Sequence, residues 1–211
     1  MTIYEQGTKE WFAQRLGKIT ASRLDDVVGM QKSGKGYLAG RETYMWELVG
    51  EILTGNPSQH YVSTAMMHGM EHEPFARKAF STRTGMVVEK VGFLDHPTIG
   101  RCGASPDGLV DGEWGLEIKC PYNLKNHLQA IKANQMPEQH MAQIQGQMMC
   151  SGLQGSWFVS YYPYVPPKFQ VFHCFVPRRQ DYIEYLEKEV EQFLLELADL
   201  TGNLHDRVVS Q

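Results

Sequence analysis

Apolar residues recur every three or four positions over residues 8–28 (Trp11, Phe12, Leu16, then Ile19, Leu24, Val27 and Val28), over 39–53 and over about 63–84. That spacing gathers them on one side of a helix, so the first half of the chain reads as helical. Gly17 marks a bend between two short helices in the first segment, with Thr20 or Ser22 available to cap the second. Gly55-Asn-Pro57 and Gly85 close the two longer helices. Between the two short helices and the helix over 39–53, Gly29-Met-Gln-Lys-Ser-Gly-Lys-Gly-Tyr37 is polar and glycine-rich and predicts an exposed loop carrying Lys32 and Lys35.

From Met86 the period shortens. Val87, Val88, Val91, Phe93 and the stretch from Ile99 to Ala104 are β-branched or apolar residues broken by Asp95-His-Pro97 and Gly100, which predicts strands and turns. Helical spacing returns over 124–133 and 138–151. Residues 156–162 and 169–176 read as two strands joined through Pro163 to Pro167, and 179–201 as a long last helix. No repeat or linker interrupts this order. The expectation is one domain over residues 1–211, of α/β class, with a central mixed β-sheet flanked by helices.

Composition narrows the class. With 42% hydrophobic and 21% charged residues, a folded globular chain is expected. No stretch approaches the ~20 apolar residues of a membrane helix, and the start lacks the apolar core of a signal peptide, so a cytoplasmic protein with no membrane partner is expected. The 4 cysteines, Cys102, Cys120, Cys150 and Cys174, form no C-x-x-C pair, which argues for free thiols over a zinc knuckle or a disulfide framework. A net charge of -4 lowers the expectation of nucleic-acid binding without removing it, because net charge does not register a local basic surface.

The stretch Ser105-Pro-Asp-Gly-Leu-Val-Asp-Gly-Glu-Trp-Gly-Leu-Glu-Ile-Lys-Cys-Pro121 concentrates chemistry. Leu116 to Cys120 is short and apolar enough for a strand, and Pro121 ends it. Alternation along a strand sends Glu117 and Lys119 to one side and Leu116, Ile118 and Cys120 to the other. A turn at Asp111-Gly112 or over Glu113 to Gly115 would bring Asp107 beside them. Two neighbouring carboxylates repel unless a cation lies between them, and oxygen donors favour a hard ion such as Mg2+ or Mn2+. A lysine two residues on can then orient an attacking water. The bland alternative is a surface hairpin with a solvated ion pair.

Two other motifs compete. His68-Gly-Met-Glu-His72 fits the H-x-x-E-H pattern of a zinc peptidase, with both histidines on one helix side and Glu71 as base, although Gly69 weakens the helix there. Gly29 to Gly36 imitates a phosphate-binding G-x-x-x-x-G-K, but Gly36 stands where a magnesium-binding Ser or Thr is needed and no strand precedes it, so a nucleotide site is rejected. The lysines of that loop suit contacts to a DNA backbone instead. A DNA-binding recombination module without catalysis is a further alternative, opposed by the clustered acids.

Four blocks in order resemble one family. Arg15-Leu-Gly-Lys-Ile-Thr-Ala-Ser22 preceded by Trp11, Gly69 with Glu73, Ser105-Pro-Asp-Gly-Leu with Gly115-Leu-Glu-Ile-Lys-Cys-Pro121, and Met141-Ala-Gln-Ile-Gln145 are similar to motifs of the phage lambda-type exonucleases. These form the YqaJ-like viral recombinase group of the PD-(D/E)xK nuclease superfamily. The resemblance implies a restriction-endonuclease-like nuclease core with Asp107, Glu117 and the Ile118 carbonyl holding two Mg2+ ions (Mn2+ being an alternative). Lys119 would position the water, Glu73 would complete the acidic site, and Gln143 would hold the water or the scissile phosphate. Arg15 and Ser22 match positions near the 5′-terminal phosphate. The family's members digest one strand of linear double-stranded DNA from its 5′ ends, as homotrimeric rings, often beside a single-strand annealing protein of phage or prophage origin. A ring would let a basic lining, to which Lys32, Lys35, Lys125 and Lys132 are candidates, coexist with an acidic exterior. His68 departs from the family, where an aromatic residue is frequent.

Overall fold

The computed structural model describes residues 4–58 and 62–209. A short helix α1 (Lys9–Arg15) leads into the two-residue strand β1 (Ile19–Thr20), a 3-10 turn over Ala21–Arg23 and helix α2 (Leu24–Val28). The predicted second helix is therefore split: Ile19 and Thr20 pair with a strand instead, because their β-branched side chains are drawn into the core. Neither Thr20 nor Ser22 caps a helix, and their hydroxyls meet each other at 3.2 Å. Helices α3 (Ala39–Thr54) and α4 (Thr64–Thr84) follow, each closed by a glycine in the left-handed region, Gly55 and Gly85.

Seven strands follow, in two groups. β2 (Val88–Glu89), β5 (Gly108–Val110), β6 (Trp114–Lys119), β7 (Gly155–Tyr161) and β8 (Val171–Pro177) form one sheet in that order, antiparallel except for the parallel β6–β7 pair. β3 (Leu94–Asp95) and β4 (Cys102–Ala104) join β1 in a second, smaller sheet. A parallel pair needs a long crossover, and here it consists of α5 (Leu124–Ala133), a 3-10 turn over Glu138–His140 and α6 (Met141–Ser151). The short α7 (Pro167–Gln170) precedes β8, and α8 (Gln180–Val209) ends the described chain. This is an α/β fold with mixed sheets flanked by helices.

Two apolar clusters hold it together. Phe80 and Ala76 of α4 pack on Val110, Leu116, Ile118 and Val159 on one side of the five-stranded sheet. On the other side α6 meets α2, α8, β4 and Phe158, and α3 packs on α2 and α8 to close the same cluster. α6 is buried almost all round, from Ala142 to Cys150. A helix in that position has no solvent side, so even its glutamines Gln145 and Gln147 are inside. Gly146 permits the approach of α2, since a Cβ there would lie 2.2 Å from Leu24 Cδ1.

Candidate active site

The β5–β6 hairpin builds the site. Asp111 and Gly112 both take positive φ, 51° and 71°, which an Asp-Gly pair tolerates. The turn sets Gly108 opposite Leu116. Asp107 then falls beside β6: its amide donates to the Leu116 carbonyl at 2.9 Å, and its Oδ2 accepts from the Ile118 amide at 2.6 Å. Glu117 and Lys119 leave β6 on the α6 side, as alternation predicts.

Glu117 is 1% exposed. Its Oε1 accepts from Lys119 Nζ at 2.6 Å and from Gln143 Nε2 at 2.6 Å, while its Oε2 accepts from Gln147 Nε2 at 2.5 Å. Lys119 Nζ also donates to Gln143 Oε1 at 2.9 Å, so Gln143 closes a ring between acid and base. Glu73 on α4 pairs with Arg77 at 2.5 Å, and Arg77 donates to the Asp107 carbonyl at 2.9 Å, tying α4 to the hairpin.

Electrostatics mark an acid cluster short of positive charge. Burial and the neighbouring Glu117 and Glu73 hold the Asp107 carboxyl well above the usual range. Burial works against the Lys119 ammonium, but Glu117, Asp107 and Glu73 outweigh it and raise its pKa. Burial and the charges of Glu73 and Asp107 push the Cys120 thiol up to about 12, which leaves no thiolate nucleophile there.

The donors fit a hard ion. Among the described residues no three His, Cys, Asp or Glu side chains converge to form a metal cage. What converges is two carboxylates, Asp107 and Glu117, with Ile118 lining the same cavity. Mg2+ is commonly held by one or two carboxylates, with waters and phosphate oxygens completing its shell. The same finding leaves the zinc motif without a third ligand. His72 Nδ1 meets the His68 carbonyl at 2.9 Å and its Nε2 meets Tyr164 Oη at 3.3 Å, so one of the two supposed ligands is already engaged.

A cavity of about 720 Å³ opens over these groups, lined by Asp107, Glu117, Lys119, Glu73 and Gln143, and also by Arg15 and Ser22. Arg15 stacks 4.1 Å above the Trp11 ring and donates to Ser105 Oγ at 3.2 Å, an oxygen that also accepts from Trp11 Nε1 at 3.0 Å. It enters no ion pair among the described residues. Burial lowers its pKa, yet a guanidinium remains charged near neutrality. A half-buried, unpaired guanidinium with a hydroxyl beside it is suited to an anion.

The fold therefore brings Asp107, Glu117, Ile118, Lys119, Glu73, Gln143, Arg15 and Ser22 to one cavity. Lys32 and Lys35 do not line it: their loop is fastened to α8 by Tyr37 Oη donating to Glu189 at 2.8 Å. Lys125 and Lys132 are exposed on α5 and do not line it either. Two contributors were missed. Ser105 supports Arg15, and Gln147 holds the second oxygen of Glu117. The signal for Gln147 was its place four residues after Gln143, on the same helix side.

Fold and site together define a nuclease-type α/β protein built on an acid–lysine hairpin. The sequence profile of the YqaJ-like viral recombinase domain matches residues 10–154, and the chain belongs to that family. It is similar to an alkaline exonuclease (LHK-Exo) from Laribacter hongkongensis, 41% identical over 96% of this chain and 99% of that one, with a TM-score of 0.87. The dAMP complex of LHK-Exo gives 42% identity and the same TM-score. A phage-related exonuclease from Haemophilus somnus 129PT shares the fold at 16% identity, covering 89% of this chain and 96% of that one, with a TM-score of 0.70. A search of curated proteins gave no match.

Proposed function

We propose that this protein is a metal-dependent exodeoxyribonuclease that degrades one strand of linear double-stranded DNA from its 5′ end. It would release 5′-mononucleotides and leave a 3′ single-stranded tail. The observation that carries this reading is the convergence of Asp107, Glu117 and Lys119 in one cavity with an unpaired Arg15. Family membership and the likeness to LHK-Exo support it.

Asp107, Glu117 and the Ile118 carbonyl would hold Mg2+ or Mn2+, as two ions in the family's manner. Metal bound there would supply Lewis acidity toward water and offset charge on the phosphate. The chain's own groups do the rest. Lys119, aligned by Glu117 and Gln143, donates hydrogen bonds to the attacking water or to a phosphate oxygen, and its charge offsets the negative charge that builds during attack. Water forms a bond to phosphorus in line with the 3′ oxygen, and the bond from phosphorus to that oxygen breaks. Arg15, steadied by Trp11 and Ser105, binds the 5′-terminal phosphate with Ser22, which sets the point of cleavage one nucleotide in. A homotrimeric ring and a single-strand annealing partner complete the reading.

The test is linear duplex DNA with a 5′-phosphate and a label at one 3′ end, incubated with Mg2+, with EDTA, and with Lys119→Ala protein shown by circular dichroism to be folded. The expected result is Mg2+-dependent release of mononucleotides from the 5′ strand, absent with EDTA and in the variant. Release from the 3′ strand would overturn the polarity. No digestion with Mg2+ or Mn2+ would overturn the assignment.

A further inference from the structure

The N-terminal turns of α4 carry rings that the reaction described above does not use. α4 starts at Thr64, but its first buried residue is His72, so two turns extend past the core. The His68 ring lies 4.1 Å from that of His72 and meets Tyr122 edge-on at 5.6 Å. Tyr164 stands 5.9 Å from His72 and 5.6 Å from Tyr162.

Hydrogen bonds fix part of this group. The His68 carbonyl can only accept, so His72 donates from Nδ1, and its Nε2 meets Tyr164 Oη at 3.3 Å. Tyr164 is thus held in place although 71% exposed. Tyr122 follows Cys120 and Pro121 off the end of β6, lines the same cavity as Asp107, Glu117 and Lys119, and is 59% exposed. Among the described residues its ring pairs only with His68, edge-on, and most of its surface is open. Asn123 and Asn126 line the cavity beside it, and the exposed Lys125 enters no ion pair among the described residues.

We propose that Tyr122, backed by His68 and flanked by Tyr164, is a stacking subsite for an unpaired nucleobase of the DNA strand that enters the cavity. This rests on the nuclease reading. Core packing gives no reason to hold Tyr122 open in the lining of a cavity whose floor is acidic, with Tyr164 open against the same histidine pair. A base offers a flat π-face whatever its identity, so an open phenol ring binds without reading sequence. Within a duplex both faces of a base are covered by its neighbours, whereas an unpaired base drawn into the cavity offers a face to the ring. Asn123, Asn126 and Lys125 lie where hydrogen bonds and charge can meet the sugar-phosphate chain of that base. Such a subsite would keep hold of the strand beside Lys119 while a mononucleotide leaves.

The test uses the full-length chain carrying Lys119→Ala, in EDTA, with single-stranded oligonucleotides bearing one 2-aminopurine at successive positions. A base stacked on Tyr122 quenches the fluorescence of the probe at one position. Tyr122→Ala should abolish that quench and weaken binding about tenfold, the size expected for one lost base–aromatic stack. Tyr122→Phe should retain both, and Tyr164→Ala should reduce both by less. In the otherwise native protein with Mg2+, Tyr122→Ala should raise KM on duplex ends and leave kcat near its native value. Unchanged quench and affinity in a Tyr122→Ala/Tyr164→Ala protein that still digests DNA would overturn the subsite alone. If the native protein neither binds nor digests DNA, the subsite and the nuclease reading fall together.

Discussion

Leu116, Ile118 and Cys120 leave one side of β6, Glu117 and Lys119 the other, and the two sides meet opposite worlds. On the first, Phe80, Val110 and Val159 close an apolar cluster with α4. On the second, Gln143 and Gln147 of α6 surround a carboxylate that is 1% exposed. The apolar side stabilises by removing surface from water. The polar side costs desolvation that its hydrogen bonds only offset. Stability and chemistry are thus assigned to alternate residues of one strand, and substitutions should separate them.

The sharpest separation should come from removing both charges on the polar side. A Glu117→Gln/Lys119→Met protein should lose nuclease activity by about 10³-fold or more, as expected when charge stabilisation at a reacting group is deleted. Its stability should be unchanged or higher, because neutral replacements for a buried ion pair are often stabilising by roughly 1–4 kcal/mol. Denaturant unfolding alongside a nuclease assay measures both. A double variant that is inactive and also several kcal/mol less stable would show that the ion pair holds the fold.

The mirror experiment is Leu116→Ala. Leu116 is 0% exposed, and truncating a buried leucine should cost about 2–5 kcal/mol. Below the new melting temperature the rate per folded molecule should match the native protein. An activity loss larger than the unfolded fraction explains would mean that the two sides of β6 are coupled.

The same contrast explains what the sequence made legible. Alternation over Leu116 to Cys120 was enough to send Glu117 and Lys119 one way and the apolar residues the other, because side-chain direction along a strand is local geometry. The bounds of α5 over 124–133 and the closing glycines Gly55 and Gly85 were also local, and the structure agrees. Ile19 and Thr20 were misread because their strand partners, Cys102 and Gly103, lie far along the chain. Helical spacing on either side masked a pairing that no short window reveals. Lys32 and Lys35 lie outside the cavity, and charge and glycine content say nothing about where a loop is fastened. Gln147 went unnamed because its role follows from α6 being enclosed on every side, a fact of packing.

Gln147 offers a smaller and more pointed break. It holds Oε2 of Glu117 and so fixes how that carboxylate presents Oε1 to the cavity. Partners that orient a metal-holding carboxylate typically contribute about 10–100-fold in metal affinity. Gln147→Met keeps the volume and removes the donor, so Mn2+ binding followed by calorimetry should weaken by at least about tenfold. Equal Mn2+ affinity in the two proteins would reduce Gln147 to a filler of the core.

The smallest expected effect concerns His140, which lines the cavity and stacks on Phe158 with ring centroids 5.5 Å apart. Burial and the Lys119 charge lower its pKa to about 4. For a base whose folded pKa lies below its unfolded value, the unfolded chain takes up the proton first as pH falls. The native protein is therefore penalised between the ordinary histidine value near 6.5 and about 4, and the penalty is absent above that window. His140→Phe keeps the stack and removes the titration. Between pH 6.5 and 5 the native protein should lose about 1 kcal/mol more stability than the variant, once solvent screening at this partly exposed site is allowed for. Unfolding curves in urea at the two pH values, in EDTA, measure the difference directly. Parallel losses in the two proteins would mean that the His140 ring is better solvated, and farther from Lys119, than its place in the cavity implies. The polar side of β6 would then be looser than its hydrogen-bond ring suggests.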